Sequence, residues 1–226
     1  MLSALPDDAW EDIEGHLERV ALDNGAVLHK PGEEIRDLYF PLDCLISITV
    51  TMRDNRTVET GVVGSREVVG INAFMGGRET TQTEYIVQIA GDAMRIDSAP
   101  LREAFDTDVR VRDVFLKLTQ AMIAQISQTA ACNSLHSLEK RYARWLLEVH
   151  DRVQADEIRL THKFMAEMLG VRRAGITELA NKFQRDGLLT EGYGWTQIVD
   201  RPRLEGASCE CYSVLREEYE RLLGTS

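Results

Sequence analysis

Three textures follow one another along the chain. From Ala26 to about Ile96 the apolar positions come in short β-rich runs: Val27-Leu28-His29, Leu38-Tyr39-Phe40, Leu45 to Val50, Val58-Glu59-Thr60, Tyr85 to Ile89 and Ala93 to Ile96. Pro31-Gly32, Asp54-Asn55, Gly64-Ser65, Gly76-Gly77 and Gly91-Asp92 punctuate them. Regularly spaced short strands with such breaks predict an antiparallel sandwich or barrel. An amphipathic helix from about Asp7 to Val20 precedes them. After Pro100 the period changes. Val109 to Leu135 holds no Gly or Pro and would reach about 40 Å as one helix. Val111, Phe115, Leu118 and Met122 fall at a four-three-four spacing that continues through Gln125, Thr129 and Cys132, with Val114, Ala121, Ile123 and Ile126 alongside. That stripe outlasts what one small domain would cover, so it predicts parallel pairing with a second copy. Packing on the chain's own β domain is the alternative.

Leu138 to about Val153 predicts another helix, with Leu138, Tyr142, Trp145, Leu146 and Val149 on one face. Thr161 to Leu189 then divides into two helices. Thr161 is placed to cap the first, whose apolar face is Phe164, Met165, Met168 and Leu169; Gly170 allows a left-handed residue at its end. The second begins near Arg172 or Arg173 and buries Ile176, Leu179, Ala180 and Phe183. Its opposite face presents Arg173, Ala174, Thr177, Glu178, Asn181 and Lys182. Thr190 to Val199 predicts a glycine-turned hairpin. A hairpin directly after a helix-turn-helix is the wing of a winged helix. Ala207 to Ser226 is read as a short β-like piece followed by a solvated acidic stretch around Glu217, Glu218 and Glu220.

The net charge of −11 appears at odds with nucleic acid, yet it is unevenly distributed. Residues 1–135 carry 12 basic and 22 acidic side chains, and residues 136–226 carry 14 and 15. Between Thr161 and Arg203, Lys163, Arg172, Arg173, Lys182, Arg185, Arg201 and Arg203 outnumber five acidic residues. Local charge decides, because the Debye length is only about 8 Å at physiological salt. No apolar run approaches the roughly 20 residues that span a bilayer, and the acidic N-terminus does not resemble a secretion signal. No membrane partner and a cytoplasmic location are therefore expected. Cys44, Cys132, Cys209 and Cys211 make neither a disulfide framework nor a paired CxxC motif. Nothing near Cys209-Glu210-Cys211 along the chain completes a tetrahedral site. Structural cysteines and no metal are the expectation, with a thiol sensor as the alternative.

The chain resembles Crp/Fnr-family regulators over nearly its whole length. LHKPGEEIRDLYFPLDCLISI resembles that family's β-roll opening, Arg141-Tyr142-Ala143-Arg144-Trp145-Leu146-Leu147 its helix leading into the DNA-binding domain, and LGVRRAGITELANKFQRDGLL its helix-turn-helix. The resemblance implies an α+β protein: an antiparallel, cyclic-nucleotide-binding-like β-roll over 1–108, a dimerisation helix over 109–135 and a winged helix-turn-helix domain over 136–226. It implies a transcription regulator, a homodimer joined by the long helix, on a two-fold symmetric DNA site, with RNA polymerase as a candidate second partner. The family's base-reading positions fall on Arg173, Ala174 and Glu178. Arg173 matches the usual arginine, but Ala174 replaces a glutamate and Glu178 an arginine. Thr177 and Asn181 share that face. Thr161, His162, Arg172 and Lys182 are the expected phosphate contacts.

In the family's cyclic-nucleotide sensors a Gly-Glu segment holds the ribose and an Arg-Ser pair the cyclic phosphate. Here Glu67 and Gly70 correspond to the first. Thr81-Gln82-Thr83 stands where the pair would be. An anion buried without a cation costs several kcal/mol, which argues against cyclic AMP. Arg78 is the substitute cation within reach, and Ser127 and Gln128 complete the candidate effector pocket, a degenerate one with no cofactor identified. Only Cys44 precedes residue 132, which argues against an N-terminal iron–sulfur cluster. The competing reading is an effector- or protein-binding module whose winged helix contacts a protein. An enzyme has no support: no phosphate loop, HExxH or nucleophile elbow is present.

Overall fold

Between Glu18 and Asp97 the alternation of buried and exposed positions folds into two antiparallel sheets. The computed structural model describes residues 2–74, 80–153, 155 and 157–224. Strands β1 (Glu18–Leu22), β7 (Gly91–Asp97) and β3 (Asp37–Pro41) form one sheet in the order β1-β7-β3. Strands β2 (Val27–His29), β6 (Glu84–Ile89), β4 (Leu45–Thr51) and β5 (Thr57–Val63) form the other in the order β2-β6-β4-β5. Leu38, Phe40, Ile46, Ile48, Val63, Tyr85, Val87, Ala93 and Ile96 are buried in one core. The β-roll expected from the sequence is present. Its first helix is shorter than expected: α1 spans Asp7–Glu14, and Glu18–Leu22 pairs with Arg95–Gly91 instead. Gly15 loosens the helix end, and the ladder to β7 satisfies backbone groups that another helical turn would have satisfied internally.

Asp97 caps α2 (Ser98–Thr107) by accepting from the Ala99 amide at 2.8 Å, and Asp108 caps α3 (Val109–Leu135) by accepting from Arg110 at the same distance. α3 is one 27-residue helix, as its freedom from Gly and Pro predicts. The expected use of its stripe is corrected. Val111, Phe115, Leu118 and Met122 are buried in the β-roll core, and Gln125, Thr129 and Cys132 are buried further along. The stripe is therefore covered within the chain. The large apolar side chains that α3 leaves in solvent are Leu116, Ile123, Ile126 and the terminal Val109 and Leu135.

The cover over the second half of α3 comes from the tail, a second correction. Among the described residues no strand follows Ala207. Instead α7 (Arg201–Ala207) leads to α8 (Cys211–Leu223). Tyr212, Leu215, Tyr219 and Leu222, three or four residues apart, make a buried face, and Tyr219 and Leu222 pack on Ala121 of α3. The acidic run is the outer side of this helix: Glu217 and Glu220 are exposed and Glu218 half-buried. Charges interrupt the helical period here, so the buried face is weakly marked in the sequence.

Candidate nucleic-acid interface

Helix α4 (Leu138–Val153) begins three residues after α3 ends and supports the C-terminal domain. α5 (His162–Met168) is capped by Thr161, whose hydroxyl accepts from the Phe164 amide at 3.2 Å. Gly170 takes φ +66°, the left-handed turn expected of it, and α6 (Arg173–Arg185) follows. Ile176, Ala180 and Phe183 are fully buried with Met165, Met168, Tyr142 and Leu146. β9 (Leu189–Gly192) and β10 (Trp195–Ile198) form the wing, joined by a third short strand, β8 (Glu157–Ile158). Gly192 is required where it stands, because any Cβ there would enter the Trp195 indole directly opposite. At the wing tip Tyr193 is fully exposed.

On the outward side of α6, Arg173, Ala174, Glu178 and Asn181 are exposed and Thr177 is half-buried. These five side chains line one shallow depression. Arg172, the N-cap residue, is exposed and makes no side-chain capping bond. Among the described residues neither Arg172 nor Arg173 enters an ion pair. The first turn of α6 therefore offers backbone N–H groups, the positive end of the helix dipole and two uncommitted guanidinium groups to an anion.

Two of the expected phosphate contacts are otherwise engaged. His162 is half-buried, with Nδ1 3.1 Å from the Thr177 hydroxyl and Nε2 3.2 Å from both carboxylate oxygens of Glu191 on β9. It joins α5, α6 and the wing. Lys182 is bonded to Glu139 of α4 and lies 3.7 Å from Asp186. Spacing along a helix gives the face of a residue, not the partner the fold brings to it.

The candidate effector residues do not converge on one cavity. Glu67 is fully buried and faces α4: its Oε1 accepts from Arg152 Nη2 at 2.8 Å and Nε at 3.1 Å, and its Oε2 from the Gly64 amide at 2.8 Å. Arg152 also lies over the Tyr219 ring at 5.7 Å. Burial opposes the Arg152 charge, but Glu67, Tyr219 and Glu148 outweigh it and hold the guanidinium in its charged form. Gly70 adopts φ +93° in a tight turn against Asp37 and His29. Thr81 and Thr83 share a hydroxyl–hydroxyl bond of 2.8 Å, and Gln82 is exposed. Ser127 is exposed, and Gln128 donates to Cys211 Sγ at 3.0 Å. Arg78 lies outside the described residues. A polar α3 side chain that does bond to the β-roll is Gln125, which accepts from the Val62 amide at 3.0 Å.

A second carboxyl crosses the same seam. Glu59 on β5 accepts from Trp145 Nε1 at 2.7 Å and from the Ser47 hydroxyl. Burial pushes it up to about 7, although both donors favour the ionised form.

The expectation that nothing completes a metal-type donor set held only along the chain. In space Cys132 and His136, at the end of α3, meet Cys209 and Cys211, which flank Glu210 at the start of α8. Their donor atoms all lie within 4.8 Å of one another. The helical i, i+4 spacing of Cys132 and His136 was a legible signal, but their distance in sequence from Cys209 hid the pairing.

The outward helix and wing are matched by comparison. Residues 140–207 match the model of the Crp-like helix-turn-helix domain. Among solved structures the chain is similar to FixK2 from Bradyrhizobium japonicum, at 15% identity over 85% of this chain and 98% of that one, with TM-score 0.73. It is similar to the c-di-GMP-responsive global regulator CLP of Xanthomonas campestris, at 18% identity over 86% and 100%, with TM-score 0.68. It is also similar to a Crp/Fnr-family transcriptional regulator from Thermus thermophilus, at 19% identity over 87% and 98%, with TM-score 0.66. No curated protein shows significant sequence similarity to the chain. The chain has the fold of the solved Crp/Fnr regulator structures. Its segment 140–207 belongs to the Crp-like helix-turn-helix domain. Among the described residues no helix is long and apolar enough to cross a membrane.

Proposed function

We propose that the protein works as a homodimer on a two-fold symmetric DNA site, placing α6 of each copy in the major groove. The observation that carries this reading is the outward face of α6, where Arg173, Ala174, Glu178 and Asn181 stand in solvent beside an unpaired Arg172. Arg173 is suited to grip guanine O6 and N7, and Glu178 to accept from a cytosine amino group or to reject other bases. Thr161 and Arg172 are the phosphate contacts. The pairing surface is the side of α3 bearing Leu116, Ile123 and Ile126, which are 53%, 59% and 40% exposed. Residues 116 and 123 are one heptad apart, as a parallel helix pair needs. The protein takes no cyclic nucleotide, because the carboxylate that would meet the ribose is committed to Arg152. It works in the cytoplasm and is not an enzyme, and RNA polymerase is its candidate second partner.

Selection from a random duplex library at graded salt tests this. The expected result is an enriched palindrome whose half-sites lie about one helical turn, roughly 34 Å, apart, with affinity falling steeply as salt rises. Absence of binding even at low salt overturns it in favour of a winged helix that docks on protein. Ile123→Glu should yield single copies in sedimentation while leaving the β-roll folded.

A further inference from the structure

The structure assigns a closed, four-ligand zinc site to Cys132, His136, Cys209 and Cys211, which clasps the segment between α7 and α8 onto the end of α3. The three cysteines are buried and the histidine is half-buried. Cys132 Sγ lies 3.5 Å from Cys209 Sγ, and Cys211 Sγ lies 3.5 Å from His136 Nδ1. A tetrahedral ion with Zn–S near 2.3 Å and Zn–N near 2.0 Å has ligand–ligand edges of roughly 3.5–3.8 Å. A disulfide needs about 2.05 Å. The contacts found thus match edges of a coordination tetrahedron, not a covalent bond. Three thiolates and one imidazole suit zinc, and four protein ligands leave no open position, which marks a structural site.

The surroundings have the form of a second ligand layer. Glu210 Oε1 lies 3.3 Å from His136 Nε2, so the carboxylate holds that nitrogen as N–H and turns the Nδ1 lone pair toward the thiols. Gln128 Nε2 donates to Cys211 Sγ at 3.0 Å. Zinc with three thiolates and a neutral imidazole carries net charge −1. Arg144, 2% exposed, acts electrostatically on Cys132 and Cys209, and its Nε has no hydrogen-bond partner. Its charge is met first by Glu148, whose Oε1 accepts from Nη1 at 2.8 Å, and its field also reaches the thiols. Binding is a ligand exchange without redox change: Zn²⁺ gives up water, three thiol protons pass to solvent, and three Zn–S bonds and one Zn–N bond form.

The clasp sits beside the two-residue connection between α3 and α4 and fixes α8 along α3. It therefore holds the C-terminal domain against the helix that we propose to pair. That consequence rests on the functional reading above, but the metal site does not. Elemental analysis of the full chain purified under reducing conditions, without added metal, should give one zinc per chain. Replacement by Co²⁺ should give thiolate-to-cobalt charge transfer and intense tetrahedral d–d bands. Cys209→Ser and His136→Ala should lose the metal, and Cys44→Ser should keep it. Circular dichroism on each variant reports its folding. If a variant unfolds, titrating the folded wild-type chain with a thiol-reactive mercurial should still release one zinc as three thiols react. No zinc and no cobalt bands overturn the assignment, as does a Cys132–Cys209 disulfide in non-reducing peptide mapping. Stoichiometric iron with labile sulfide overturns it too. None of these readouts involves DNA, so failure here and failure of DNA binding are separate results.

Discussion

The two sides of the C-terminal domain use charge in opposite ways. On the outer side, the face of α6 holds Arg172 and Arg173 with no ion-pair partner, both in solvent. On the inner side, against the β-roll, Arg152, Glu67 and Glu59 are each at most 8% exposed and are hydrogen-bonded. Charges left without a partner on a folded surface contribute little to stability and are free to meet phosphate. Charges removed from water must be matched within the protein, so they fix where one domain sits on the other. The difference shows why residues that resemble a ligand site in sequence can be structural in this chain: Glu67 meets a guanidinium from α4 before any ligand could.

The largest effect is therefore expected on the inner side. Arg152→Met leaves the Glu67 carboxylate, wholly buried, without its cation. Breaking one partner of a buried pair costs about 3–5 kcal/mol, to be read as a lower midpoint in urea unfolding. Adding Glu67→Gln should restore much of that loss, because the stranded charge is gone. A single variant with wild-type stability would mean that the seam is not held by this pair.

Glu59 gives the next effect, through pH. Its folded-state value of about 7 lies above the ordinary 4.5. The native state thus keeps a proton that the unfolded chain has already released between those values. The unfolded state binds fewer protons there, so stability falls as pH rises from about 4.5 to about 7 and levels off above. The contribution is on the order of 1–3 kcal/mol. Glu59→Gln should flatten that window in thermal melts. Its carbonyl still accepts from Trp145, and the Ser47 hydroxyl reverses to accept from the amide.

The outer side should respond in binding and hardly in stability. Arg173→Ala should cost about 1–3 kcal/mol on the selected site and relax preference at one base pair per half-site. Glu178→Ala should alter which base is enriched. An unchanged selection profile for Glu178→Ala would remove it from the readers.

Legibility followed periodicity. The β-roll strands, the 27-residue α3 and both helices of the turn were readable because their apolar periods are regular and glycines mark their ends, Gly170 and Gly187 both at positive φ. Side-chain partners were not readable. The stripe from Val111 to Cys132 was recognised as buried, but its cover is the chain's own core and α8, since a period says that a face is hidden and not by what. Tyr212, Leu215, Tyr219 and Leu222 had helical spacing all along, diluted by the glutamates between them. Cys132 and His136 lie more than seventy residues from Cys209, beyond the reach of any local motif.

The smallest expected effect is the sharpest test of the outer side. Arg172 and Lys182 both looked like phosphate contacts in the sequence, yet they differ in the fold. Arg172 is exposed and unpaired, whereas Lys182 is bonded to Glu139 and close to Asp186. Phosphate binding by Lys182 must first displace a carboxylate, so it releases little of the counterion atmosphere around DNA. Arg172→Ala should weaken binding on every sequence alike and lower the slope of log affinity against log salt by about 1 per chain. Lys182→Ala should change that slope by much less. Equal flattening by the two substitutions would mean that the Lys182–Glu139 bond opens on DNA, and free-state pairing would then cease to separate the contacts from the bystanders.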